Sequence, residues 1–464
     1  MSDVLQTAAL QTLSPAQAHA LAVVPDALEG GVLHVRVDRT RDLARVRQDL
    51  GLLTGYRIEA TPEEAAVVAR EVMRLYRSQA GEGLGERGRL DHGGDVVTQV
   101  LAEAARMDAS DVHVEPGAEH ARVRVRVDGA LLERFSLPLE TYPRYVNQIK
   151  VRAGLDISQK RLPQDGRMSF EDGDGHAVDV RVATLPTLYG ERVTMRLLGR
   201  SAVDLRLGEL GMAADQSTTY RAGIDRGLGI VIVSGPTGSG KTTTLYATLA
   251  HLNDEENCIL TVEDPIEYTL PGINQVQVNL AQGLDFATAL RSFMRHDPNI
   301  IMLGEIRDEE TARIAVRLSL TGHLVLSTLH TNSAWGIVAR LGDMGVPRYL
   351  LADTLNTLVA QRLLRRLCTS CRAPETYPAE VTRLLGVGEG FGPVGCPACN
   401  FTGYRGRVAI YELLRMDESL QRITREGGQP ATELRVGLGP RAAAAVREGL
   451  TSWSEARGIV AGLA

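Results

Sequence analysis

Lysine is almost missing from this chain. Of 51 basic residues among 464, only Lys150, Lys160 and Lys241 are lysines. A preference for arginine codons accounts for the bias, and it makes each surviving lysine worth a question. Aromatic residues are scarce too, at 4%. A groove that stacks bases needs aromatic platforms beside positive charge. This chain is short of the first and, with a net charge of −6 and a pI near 6.0, of the second. A constitutive nucleic-acid clamp is therefore not expected. No apolar run is long: Ile230–Val233 falls far short of the roughly 20 residues a helix needs to cross a bilayer. The opening MSDVLQTAALQTLSPAQ has an early Asp3, no Lys or Arg before Val35 and no apolar core behind a basic head. It does not read as a secretory signal, so the expected compartment is cytosolic, where thiols stay reduced.

Cysteine is rare but arranged. Four of the five fall in CTSC (368–371) and CPAC (396–399), with 24 residues between the pairs. A disulfide framework, a redox couple and a metal site are the options. A reducing compartment disfavours the first, and a redox couple needs only one pair. Two pairs separated by a short loop suit Cys368, Cys371, Cys396 and Cys399 converging as thiolates on zinc. The plain alternative is a degenerate site that no longer holds metal. Cys258, in ENCILTVED, reads as a small apolar filler on a buried strand.

Three domains are the expectation at this length. Residues 1–77 mix short strands (GGVLHVRVD) with helices (PEEAAVVAREVMRLYR), and the Gly-rich, charged stretch 78–95 is a linker. In 96–205 a helix (VVTQVLAEAARM) leads into alternating strands such as ARVRVRVDG, a hairpin in RMSFEDGDGHAVDVRVATLP and a strand in GERVTMRLL. This is an α+β segment. From 206 to 360 apolar strands alternate with helices, the α/β pattern of a parallel sheet. Residues 361–464 hold the cysteine loop and a mostly helical tail.

The chemistry lies in the α/β segment. LGIVIVSGPTGSGKTTTLYATLA reads as a buried strand, a Gly-rich loop and a helix. Gly235, Gly240, Lys241 and Thr242 match GxxxxGK[ST]. Pro236, Thr237, Gly238 and Ser239 complete the loop and Thr243 follows it. Such a loop curls backbone N–H groups around phosphate, its lysine faces the β- and γ-phosphates, and its Thr hydroxyl takes Mg²⁺. An arginine fork would not serve where a point charge is wanted. This marks a nucleotide-binding site. NIIMLGEIRDEETARIA is a second apolar strand that presents Gly304 and Glu305 at its tip. Glu305 is placed to act as base or water-orienter, with metal contact mainly through water. TVEDPIEY ends a third strand with Glu263, Asp264 and Glu267, which are positioned to tune Mg²⁺ or the nucleophilic water. In TGHLVLSTLHTNS, His330 follows a strand and is placed to sense the γ-phosphate, while His323 precedes it and is as well explained by structure.

These motifs, GPTGSGKTTT, TVEDPIEY, GEIRD and TGHLVLSTLHT in this order, resemble the secretion ATPase superfamily, whose members power type II secretion, type IV pilus assembly and retraction, and conjugation. The likeness runs from about residue 95 to the end. QKRLPQDGR and CNFTGYRGR look like its secretion and pilus assembly branch. The resemblance implies a RecA-like P-loop motor after a PAS-like α+β domain, a small N-terminal α/β recruitment domain, and a zinc loop with a helical C-terminal region. Similar assembly-branch proteins carry a tetracysteine zinc loop, and the retraction branch generally does not. The expected RLG-type motif of cyclic-dinucleotide-binding members is missing from residues 1–77, so docking to a membrane-anchored partner is the expected use of that region.

Further expectations follow from the resemblance. The chain should be a hexameric ATPase, cytoplasmic and peripheral to the inner membrane. Its partners should be the cytoplasmic domain of a recruiting protein and a polytopic platform protein, with no stable nucleic acid. Arg167 in QDGR and Arg181 in DVRVATLP lie on adjacent strands of one hairpin. The resemblance places such arginines over the nucleotide. Alternatives are a pilus retraction ATPase or a nucleic-acid translocase on the same motor fold.

Overall fold

The computed structural model describes residues 9–10, 12–13, 17–18, 21–76, 95–173, 175–198, 206–431 and 437–462. Most of the linker expected at 78–95 lies outside them. The chain forms two compact units. The first comprises the described residues of Met1–Gly199 with Arg366–Glu375 and Phe391–Gly406. The second comprises those of Arg200–Arg365, Thr376–Gly390 and Arg407–Ala464.

The first unit opens with β1 (Val23–Glu29) and β2 (Val32–Asp38), an antiparallel pair turned by Gly30 and Gly31. Both glycines have positive φ, which a two-residue hairpin turn needs. Helix α1 (Leu43–Thr54) starts at Asp42, whose carboxylate accepts the first free amides, and stops at Gly55 in the left-handed region. Strand β3 (Arg57–Glu63) then runs parallel to β2, and α2 (Ala65–Tyr76) follows. Leu33, Val35, Val37, Leu50 and Val72 fill the small core.

Beyond the linker come α3 (Val96–Arg106), β4 (Asp111–Pro116), β5 (His120–Val127), β6 (Ala130–Pro138), α4 (Tyr142–Arg152), β7 (Gln164–Glu171), β8 (Ala177–Thr187) and β9 (Gly190–Leu198). The six strands form one sheet in the order β6-β5-β4-β9-β8-β7. Alternation in HARVRVRV buries Ala121, Val123 and Val125 and turns Arg122, Arg124 and Arg126 the other way. The apolar face packs against Val97, Val100 and Leu101 of α3 and Val146 and Ile149 of α4. Each such side chain contributes roughly 1.5–3 kcal/mol when fully buried. Lys150, fully buried, pairs with Glu191 at 2.6 Å and donates to the carbonyls of Asp156 and Gln159. It thereby pins the loop ahead of β7.

The second unit contains α5 (Ala214–Ile224), β10 (Gly229–Ser234), α6 (Lys241–Leu252), β11 (Ile259–Glu263), β12 (Asn274–Gln277), α7 (Phe286–Phe293), β13 (Ile300–Leu303), α8 (Glu309–Leu320), β14 (Leu324–Leu329), α9 (Gly336–Asp343), α10 (Arg348–Thr354) and β15 (Leu355–Leu367). The chain continues through β16 (Ala373–Thr376), α11 (Ala379–Leu385), β17 (Glu389–Gly392), β18 (Tyr404–Arg415), α12 (Glu418–Glu426), α13 (Leu438–Arg447) and α14 (Trp453–Val460). Seven strands make one sheet, ordered β12-β11-β13-β14-β10-β15-β18. The pairs from β12 to β15 are parallel. Strands β10, β13 and β14 are buried along their whole length, because helices cover both faces. Val231 and Val233 meet Leu245 and Leu249 of α6 on one side, while Ile230, Ile232 and Leu303 meet the core of α7, α8 and α9 on the other.

The C-terminal segment differs from its expected helical tail. Strand β15 continues to Leu367, and β18 adds an edge strand to the motor sheet. Segment 361–464 is also divided, since the cysteine-bearing stretches group with the first unit. There Gly406 donates to Asp128 in the β5–β6 turn at 2.7 Å.

Candidate active site

The loop between β10 and α6 is built on glycine. At Gly235, φ is 151°, and a Cβ would lie 2.5 Å from the Gln361 carbonyl and 2.6 Å from Ser239 Oγ. At Gly240, φ is 85°, and a Cβ would meet Gln361 Nε2 at 2.8 Å. Side chains are therefore excluded from the bend on steric grounds. No side chain caps the start of α6, so its first amides are free for an anion. Thr242 is exposed at that helix start. Ser239 Oγ is buried within the loop without a hydrogen-bond partner. Lys241 Nζ rests on the loop's own carbonyls, Gly235 O at 2.9 Å and Pro236 O at 3.1 Å. Burial holds its ammonium below the usual range; Glu305 opposes that shift and the charge of Arg362 adds to it.

The carboxyl ends of the neighbouring strands complete the constellation. Glu305 follows β13, and its carboxylate lies 2.5 Å from Arg307 Nη2 and 3.7 Å from His330 Nε2 at the end of β14. Arg307 also reaches Asp264, at the end of β11, at 3.4 Å. One arginine thus ties two of the acidic motifs together. Burial and the charge of Lys241 hold the His330 imidazole below the usual histidine range, and Arg307 adds to this against the pull of Glu305. His330 is therefore neutral at neutral pH. Lys241, Glu305 and His330, far apart in sequence, meet where ligands bind in open α/β sheets.

Glu263 is placed differently. It is buried, accepting from Thr261 Oγ1 at 2.6 Å, from Gln275 at 3.1 Å and from the Tyr246 hydroxyl. It anchors α6 to β11. Burial raises the Tyr246 phenol, with the Glu263 charge acting the same way, so the hydroxyl stays a donor. His323 Nδ1 donates to the Leu318 carbonyl at 2.9 Å and meets Thr321 Oγ1 at 3.0 Å, closing the C-terminal end of α8, a structural duty. Cys258 is half-buried just ahead of β11 rather than within it.

Arg167 and Arg181 stand directly opposite each other on β7 and β8, so they share one face of the first unit's sheet. Arg196 on β9 continues the row beside Arg181 and bonds Asp111 at 3.0 Å. Sequence reading missed Arg307, although it lies inside the GEIRD motif, and Arg362. In a chain so rich in arginine, neither had a signal of its own.

The four motif cysteines meet. Their Sγ atoms all lie within 4.8 Å of one another, with Cys368–Cys396 at 3.9 Å, Cys371–Cys399 at 3.8 Å and Cys396–Cys399 at 3.8 Å. These separations are far beyond a disulfide bond of about 2.05 Å. They match the edge, about 3.8 Å, of a tetrahedron with Zn–S bonds of about 2.3 Å. Backbone amides of Gly395, Cys396 and Gly403 donate to Cys371 and Cys399 sulfurs at 3.2–3.3 Å, as the outer shell of a thiolate site does. Burial and the neighbouring thiols push Cys371 and Cys399 up, a cost that a bound cation removes. The donor set fits zinc.

The parallel sheet, the phosphate loop at its switch strand and an acidic residue on the adjoining strand end together define a RecA-like P-loop ATPase. Residues 93–457 match the family described as Type II/IV secretion system protein. Type II secretion system protein HxcR of Pseudomonas aeruginosa is 52% identical over 332 residues, spanning 72% of this chain and 68% of that protein. Type IV pilus assembly ATPase PilB of Myxococcus xanthus is 44% identical over 416 residues, spanning 82% and 73%. The crystal structure of the pilus retraction motor PilT with bound ADP is similar in fold, with a TM-score of 0.51 at 24% identity over 78% of this chain and 95% of that one. The chain belongs to the type II/IV secretion system protein family. No helix among the described residues is long and apolar enough to cross a membrane.

Proposed function

We propose that this chain is the hexameric motor that drives assembly of a type IV pilus or a type II secretion pseudopilus at the inner membrane. The observation that carries the reading is the meeting of Lys241, Glu305 and His330 at the carboxyl end of one parallel sheet. Gly235–Thr243 hold the phosphates of ATP, and Lys241 offsets their charge. Thr242 would hold Mg²⁺, which draws charge from the phosphates when bound. Glu305 orients the water for in-line attack, His330 reads the terminal phosphate, and Glu263 keeps α6 and β11 in register beneath them. Arg167 and Arg181 supply positive charge to the transferring phosphate. Cys368, Cys371, Cys396 and Cys399 would hold zinc, which stiffens a segment with little core of its own. The chain's partners are the cytoplasmic domain of an inner-membrane recruiting protein and a polytopic inner-membrane platform protein. The high identity to secretion and assembly proteins, against 24% to a retraction motor, favours assembly over retraction.

Steady-state phosphate release tests the proposal. The parent protein should hydrolyse ATP faster with lipid and platform protein, and Lys241→Ala should remove nucleotide binding. Stimulation by DNA instead would favour a translocase, which the acidic net charge of −6 disfavours.

A further inference from the structure

Several buried charges among the described residues face an opposite charge. Lys150 faces Glu191, Asp111 faces Arg196, and Glu115 faces Arg124. Arg362, on β15, is different. It is 7% exposed, and its guanidinium donates to neutral oxygens: Gln361 O at 3.1 Å, Asn332 O at 3.4 Å and Asn332 Oδ1 at 3.3 Å. Glu412 acts on it only through space. A desolvated cation on long bonds to neutral acceptors is costly.

Its place in the fold gives that cost a use. The Gln361 carbonyl that Arg362 holds is the atom against which Gly235 is packed. The Gln361 side chain accepts from Thr244 at 2.8 Å, in the first turn of α6. Asn332 lies two residues past His330. The guanidinium is thus one hydrogen bond from the phosphate loop on one side and from the His330 segment on the other. Two cations, Lys241 and Arg362, share this corner, and an anion between them relieves both. A guanidinium is also suited to grip phosphate oxygens through two parallel bonds.

We propose that Arg362 distinguishes a nucleoside triphosphate from a diphosphate in this site: on binding, its guanidinium exchanges the Asn332 oxygens for those of the terminal phosphate. Releasing Asn332 frees the segment that carries His330, so arrival of the phosphate and placement of His330 are one event. The inference rests on reading Gly235–Thr243 as the ATP loop.

The test is equilibrium binding of ADP and of a non-hydrolysable ATP analogue to the full chain. Arg362→Gln should lose about tenfold more affinity for the analogue than for ADP, about the worth of one charge-assisted hydrogen bond. Arg362→Lys should recover part of it. Equal losses for the two nucleotides, or no loss, would overturn the proposal. Asn332→Ala serves if Arg362→Gln does not fold: it removes the competing acceptor and should keep or raise the preference for the analogue, and a fall there overturns the proposal as well. Failure of the parent to bind either nucleotide would instead sink the loop reading itself, whereas normal ADP binding without an analogue-specific loss sinks Arg362 alone.

Discussion

Glu305 carries the most specific expectation for a single residue. Its carboxylate stands between Arg307 and His330, and its proposed role is to orient water. Glu305→Gln keeps the shape and removes the charge. ATP should still bind while hydrolysis falls by at least two orders of magnitude, as expected when a positioned catalytic group is lost, typically about 10²–10⁴. A parental turnover rate in that variant refutes the assignment. His330 sets a pH expectation. Its imidazole is held below the usual histidine range, so it is neutral at pH 7 and gains its proton on the acid side. A histidine with a lowered folded-state value is protonated first in the unfolded chain, so falling pH also removes stability there. Turnover should be flat through neutrality and fall in acid, and His330→Asn should flatten that limb. A kcat–pH profile decides; an unchanged acid limb in the variant assigns the fall to another group.

At the scale of elements, the cysteine segment is the clearest case. Strands β16 and β17 are four residues each and offer little core. Four converging sulfurs and three N–H···S bonds do what packing does elsewhere. Purified protein should carry about one zinc per chain. Cys396→Ser should release it and weaken assembly more than nucleotide binding. Elemental analysis checks this, and iron, or four alkylatable thiols without metal, would remove the site. Because Gly406 in this segment bonds Asp128, metal loss should also be felt in the β5–β6 turn.

At the scale of the whole molecule, the proposed role of Arg167 and Arg181 is what a paired substitution tests. The arginines of the first unit's sheet are cross-strand neighbours with their side chains on one face. If they serve the γ-phosphate, Arg167→Ala with Arg181→Ala should leave ATP affinity within a few-fold and drop kcat by roughly 10³, the low end for an arginine finger. Analogue binding and phosphate release from the assembled protein form the paired measurement. An unchanged kcat would leave this sheet a passive part of the assembly.

Much of this was legible in residue order, and for a physical reason. A phosphate loop is local: Gly235, Gly240 and Lys241 work through backbone bends and a helix start a few residues long. Parallel strands buried on both faces announce themselves as apolar runs, and alternation in HARVRVRV declared its two faces. CxxC spacing likewise pointed to metal before any Sγ distance was known. What the order of residues leaves open is set by contacts across long separations. The short sequence motifs could not tell that Arg307 would join Glu305 to Asp264, nor that Glu263 would turn inward to Tyr246. Strand β18 escaped notice because its partner, β15, lies dozens of residues earlier. Arg362 was one arginine among many until folding buried it beside Lys241. Local geometry follows from neighbours in the chain, whereas the company a buried charge keeps is decided only when distant strands are laid side by side.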